Sequence, residues 1–137
     1  MNLHPEQTKL LEQAEIFVQR FVEKRGAFTM FALVLETNEK ITPVQPNDGF
    51  PDAKNAFVQM LTFLLGQAKE EKITACVICT PANVGKENAV VYDLEQKISP
   101  RVIAVQSYKK KLFGGWTFGA KEFRNDERKL FSFISLN

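Results

Sequence analysis

A chain of 137 residues, 45% hydrophobic and 25% charged, is long enough to bury a real core, and its balance excludes a disordered or fibrous polypeptide. The net charge of +2 hides an asymmetry: residues 1–100 carry 10 Lys and Arg against 13 Asp and Glu (−3), whereas residues 101–137 carry 8 against 3 (+5). A basic C-terminal third suits an acidic partner, a nucleic acid, an anionic surface, or the acidic part of the same chain.

Charges interrupt every apolar run in MNLHPEQTKLLEQAE, which argues against a secretory signal, and no segment has the apolar length needed to span a bilayer. With only two Cys, the expectation is reduced thiols, a cytoplasmic location and no membrane partner. The 12 Phe against one Trp and two Tyr point to a fat apolar core or an apolar interface, because Phe brings burial without a polar handle.

In chain order, His4-Pro5-Glu6 reads as a helix start, since Pro is tolerated in the first turn and acids suit the positive end of the dipole. Leu10, Ala14, Phe17 and Phe21 recur at helical spacing, and Gly26 can cap the end, so a helix is expected over residues 5–25. Ala27 to Glu36 reads as a strand, Thr37 to Lys40 as a turn, and Ile41 to Val44 as the returning strand. The loop from Gln45 to Asp52 is broken by two Pro and a Gly. Asp52 makes a suitable cap for a second helix running to about Glu71. That helix carries Phe57, Val58, Met60, Leu61, Phe63, Leu64 and Leu65 around most of its circumference. It is therefore expected to lie between the sheet and the first helix or to enter a subunit interface.

Ile73 to Thr80 is a continuous β-branched run suited to an interior strand, and Pro81 to Glu87 is expected to be a loop. In Ala89 to Ile98, alternation puts Val90, Tyr92, Leu94 and Ile98 on one face and Asp93, Glu95 and Lys97 on the other. Strands over Arg101 to Tyr108 and Trp116 to Phe123 follow, and residues from Asp126 onward can start a short helix. Short connections favour antiparallel neighbours. The expectation is a single α+β domain over residues 1–137: one twisted, mainly antiparallel sheet of five to six strands with two main helices, in the order α-β-β-α-β-β-β-β.

The motifs that carry chemistry are few. Cys76-Val77-Ile78-Cys79 has redox or zinc spacing, but on a strand these positions face opposite ways, so two buried structural thiols are expected. Thr80 to Glu87 imitates a phosphate-binding loop, yet it has Thr80 in place of Gly, Glu87 in place of Ser or Thr, and no following helix. Asp93, Glu95 and Lys97 resemble the acid–lysine element of metal-dependent nucleases, set against the alternative of a solvent-facing charged strand. Arg101, Tyr108, Lys109, Lys110, Lys111 and Trp116 combine cations and rings as a single-stranded nucleic-acid surface does. The alternative is a lysine-rich loop with Phe113, Trp116 and Phe118 partly packed on the core. His4, the only histidine, lies too near the end of the sequence for a triad and fits the helix start. No catalytic residue, metal site or cofactor is expected.

The segments GAFTMFALVLETNEKITPVQP, NAVVYDLEQ and VIAVQSYKKKLFGGWTFGAKEF resemble a family of small bacterial α+β domains. There, a G-x-F-x-x-F-A strand opens the sheet and a Y-[KR]-[KR]-x-L-F-G segment closes it. The matching residues are Gly26, Phe28, Phe31, Ala32, Tyr108, Lys109, Lys110, Leu112, Phe113 and Gly114. The resemblance implies a compact bacterial cytoplasmic protein and brings no activity with it. The element order is also similar to profilin-like and roadblock-type scaffolds, which bind partners. The leading expectation is a non-enzymatic protein-interaction module that forms a homodimer or joins another protein. The alternatives are a nucleic-acid or anionic-ligand binder and a nuclease.

Overall fold

In the computed structural model, which describes residues 3–46 and 53–126, α1 (Pro5–Arg25) starts on a reciprocal cap. The His4 imidazole Nδ1 accepts from the Glu6 backbone N–H at 3.1 Å, and Gln7 Oε1 accepts from the His4 N–H at 2.9 Å. Two donors that the first turn would leave unpaired are thereby satisfied. The helix stops at Gly26, whose left-handed φ of 77° lets its N–H reach Val22 O.

The strands are β1 (Phe31–Glu36), β2 (Ile41–Val44), β3 (Ile73–Val84), β4 (Glu87–Gln96), β5 (Arg101–Lys110) and β6 (Trp116–Asp126), with α2 (Ala53–Lys69) between β2 and β3. They form one antiparallel six-stranded sheet in the order β2-β1-β3-β4-β5-β6. Fold class and element order are those expected from the sequence. Pro43 sits in β2, the edge strand, where a missing N–H is tolerated.

Alternation sorts the core into two layers. On one face Leu33, Val77, Tyr92, Leu94 and Val102 pack under Leu10, Ala14 and Val18 of α1. Phe17, Phe21 and Phe28 meet Phe31 edge-on, with ring centroids 5.9–6.2 Å apart, so part of the phenylalanine excess goes into this core. On the other face Ala32, Val34, Cys76 and Ile78 pack against Ala56, Met60 and Leu64 of α2.

The two helices thus lie on opposite faces, and α2 is not sandwiched between the sheet and α1. It leaves Val58 and Phe63 about half exposed. Three further expectations are corrected. The first strand begins at Phe31, because residues 27–30 carry the chain from the helix cap into the sheet while Phe28 and Met30 pack on the core. The loop expected at 81–87 is mostly ladder: Pro81 pairs with Val90 on a stretch where β3 has no β1 residue opposite it, and only Gly85 and Lys86 turn. Ile98 lies past the end of β4, exposed in the turn, so it does not extend the apolar face. Asp52 and the possible helix beyond Asp126 lie outside the described residues.

A Cβ on Gly26 would meet Trp116 Cζ2 at an ordinary 3.7 Å, so the cost of Gly26→Ala comes from the left-handed φ alone. The expected loss is about 1–2 kcal/mol, read as a lower urea midpoint at unchanged m-value.

Candidate functional site

Asp93 and Glu95 stand on β4, which has β3 on one side and β5 on the other. They share the face opposite α1 and are buried, with 6% and 1% of their surface exposed. The Arg101 guanidinium reaches diagonally from β5, donating from Nε to Asp93 Oδ1 at 2.7 Å and from an Nη to Oδ2 at 2.5 Å. This fork-on-fork ion pair places a charge that a buried strand position could not otherwise hold. The solvent-facing alternative for this strand is therefore corrected: the alternating charges belong to a covered face. The carboxylate proposed for metal work is engaged by Arg101, and Lys97 falls beyond the end of the strand, half-buried. Among the described residues no group of three His, Cys, Asp or Glu could hold a metal ion.

The two cysteines are free and buried on opposite faces, Cys76 toward α2 and Cys79 toward α1. Burial pushes both thiols well above their ordinary range, and the neighbouring Glu95 and Asp93 carboxylates push Cys76 further. Tyr92 is raised as well, by desolvation first, with its hydroxyl donating to Gln106 Oε1 at 3.3 Å.

The six candidate binding residues divide. Arg101 is turned inward. Tyr108 is buried, stacked on Phe118 at 5.3 Å and edge-on to Trp116 at 6.0 Å, and Trp116 is half-buried on the same cluster. Burial pushes the Tyr108 phenol up. These rings are therefore committed to the root of the hairpin and offer no free face for stacking bases.

Lys109, Lys110 and Lys111 are exposed. Beyond them Lys111 N–H donates to Gly115 O at 2.9 Å, and Gly114 and Gly115 take φ of 93° and 80°, a turn that only glycine closes without strain. That turn projects Leu112 and Phe113 outward, 90% and 96% exposed. Phe113 is thus not packed on the core. Neither residue was among the binding candidates, although Leu-Phe between Lys111 and Gly114-Gly115 in a hairpin turn was the available signal.

The tip has a neighbour. The β3–β4 turn, with Val84 half exposed and Lys86 exposed, projects from the same end of the sheet, because Asn88 pairs with Tyr108. The two turns carry Lys86, Lys109, Lys110 and Lys111 against Glu87. The candidate site is this convex, cationic end with an apolar point.

Comparison with family models, curated proteins and solved structures gives no match. No helix among the described residues is long and apolar enough to cross a membrane.

Replacing Arg101 by Met would take the fork away from a buried carboxylate. The expected loss of unfolding free energy is about 3–5 kcal/mol, measured by chemical denaturation. A thiol reagent at mildly alkaline pH should find neither cysteine in the folded protein and both after denaturation, because each thiol is buried and held protonated.

Proposed function

We propose that this protein is a non-catalytic binding module that engages its partner through the tip of the β5–β6 hairpin. One observation carries the reading: Leu112 and Phe113 stand almost fully exposed on a glycine-closed turn directly after three exposed lysines. Isolated exposed apolar residues are ordinary, but two adjacent ones at the centre of a turn are not, since turns favour Gly, Asn, Asp and Pro. The groups with chemical potential support the same reading, because Asp93, Glu95, Cys76 and Cys79 lie inside the sheet layers.

The other readings have less behind them. Homodimerisation through α2 has Val58 and Phe63, each about half exposed, as its large apolar residues open to solvent. A nuclease at Asp93, Glu95 and Lys97 needs carboxylates open to a metal and a substrate, and these are buried. A stacking platform for single-stranded nucleic acid needs a succession of free rings, and at this end Phe113 is free whereas Tyr108 is buried and Trp116 is packed on it.

A photoreactive amino acid placed at Phe113 is expected to give discrete adducts, of whatever chemical class, in cells that make the protein. The same group at Glu12, on the exposed side of α1, is expected to give none. Equal labelling at both positions would remove the reading.

A further inference from the structure

We propose that the hairpin end docks on an anionic phospholipid surface, with Leu112 and Phe113 entering the headgroup–acyl boundary and the lysines resting among the phosphates. The inference rests on the tip being the binding end, and it names the partner.

Shape is the first argument. The tip is convex and only a few residues wide, so against a protein it would bury far less than the usual total of about 1,200–2,000 Å² unless a pocket enclosed it. A bilayer needs no pre-formed pocket. The turn between Lys110 and Trp116 reaches beyond the Gly85-Lys86 turn of the adjacent hairpin. The apolar point therefore enters first, and Lys86 and Val84 come to the surface behind it.

Charge is the second argument. Lys109 and Lys110 are successive strand residues and so project from opposite faces of the hairpin, with Lys111 at the turn. The apolar point has cations on both sides, the arrangement suited to a hairpin standing upright in an anionic plane. Long lysine stems allow the ammonium groups to stay in the headgroup layer while Leu112 and Phe113 go deeper. Each lysine near an anionic surface adds about five-fold in partition, and burying about half the surface of two large apolar side chains at the boundary adds roughly ten- to a hundred-fold.

Rigidity is the third. The hairpin is rooted by the Tyr108, Trp116 and Phe118 rings, and the half-buried Trp116 sits at the level of an interfacial aromatic. Duplex nucleic acid would satisfy the lysines but would use Leu112 and Phe113 only as a wedge between base steps.

Trp116 is the one tryptophan in the chain, so the native protein reports on its own docking. Vesicles of equal parts phosphatidylcholine and phosphatidylglycerol should shift its emission to the blue and sediment the protein at low salt. Pure phosphatidylcholine vesicles should do neither. Leu112→Ser with Phe113→Ser should weaken binding roughly ten- to a hundred-fold, and Lys109→Glu, Lys110→Glu and Lys111→Glu together should abolish it. Both variants change exposed positions and should keep the wild-type melting temperature, which is measured alongside. Failure of the wild type to bind the anionic vesicles would overturn the inference, as would binding indifferent to Leu112 and Phe113. So would a preference for a DNA duplex that the serine variant retains. Adducts at position 113 without vesicle binding would overturn the lipid partner while leaving the tip as the binding end. Equal labelling at positions 113 and 12 would remove the tip itself.

Discussion

Period-two alternation in a sheet covered on both faces governs the rest of this molecule. With α1 on one side and α2 on the other, residues 31–35 of β1 and 75–79 of β3 have no solvent face, and each odd–even choice there sends a side chain into one interior or the other. Cys76 and Cys79 are separated by that rule. It also sends Tyr92 and Leu94 under α1 while Asp93 and Glu95 go to the opposite layer. A charge on such a strand must be paired where it stands, because desolvating it alone costs more than the strand can supply. The Arg101 fork on Asp93 is the local answer, and it draws on β5, the adjoining strand of the meander.

The two ends of the sheet are finished differently. At the end where α1 begins, Glu6 accepts from Gln96 and Thr74, while Gln7 donates to Leu94 O and Pro100 O. Gln96 Oε1 in turn accepts from the N–H groups of Ile98 and Ser99. Helix start and β4–β5 turn are thereby joined by side chains whose polar groups are used internally. Lys121 of β6 reaches Glu15 of α1 at 2.7 Å, so part of the basic C-terminal third does neutralise the acidic part of the same chain. At the other end the lysines face water, and the order comes from rings: Tyr108, Trp116 and Phe118 hold the hairpin root near the α1 cap at Gly26.

What was legible in the sequence was what depends on neighbours a few residues away. The span of α1 follows from Pro5, the apolar spacing and Gly26, and the meander follows from short connections between β-branched runs. The illegible parts depend on distant neighbours. Alternating Asp93 and Glu95 look the same whether their face meets water or is covered, and only their burial in the folded chain and the approach of Arg101 decide it. Placing α2 failed for a related reason: an apolar circumference says that a helix is wanted on several sides but not which face of the sheet it takes. The lysine run was legible as a surface. The fate of the adjacent rings was not, because Tyr108 packs on Phe118 across the hairpin whereas Phe113, five residues further on, has nothing across from it.

That contrast bears on what the tip is for. Tyr108, Trp116 and Phe118 contribute to the fold, and substituting them would disturb the α1 face of the core. Leu112 and Phe113 contribute neither packing nor the backbone freedom the turn requires, which Gly114 and Gly115 supply. Placing apolar side chains in water next to three lysines does nothing for the solubility or stability of the monomer. The two thiols and the Asp93 and Glu95 carboxylates are enclosed, whereas Leu112, Phe113 and three lysines are extended at one end of the sheet, and that division is what the proposed binding role of the tip rests on.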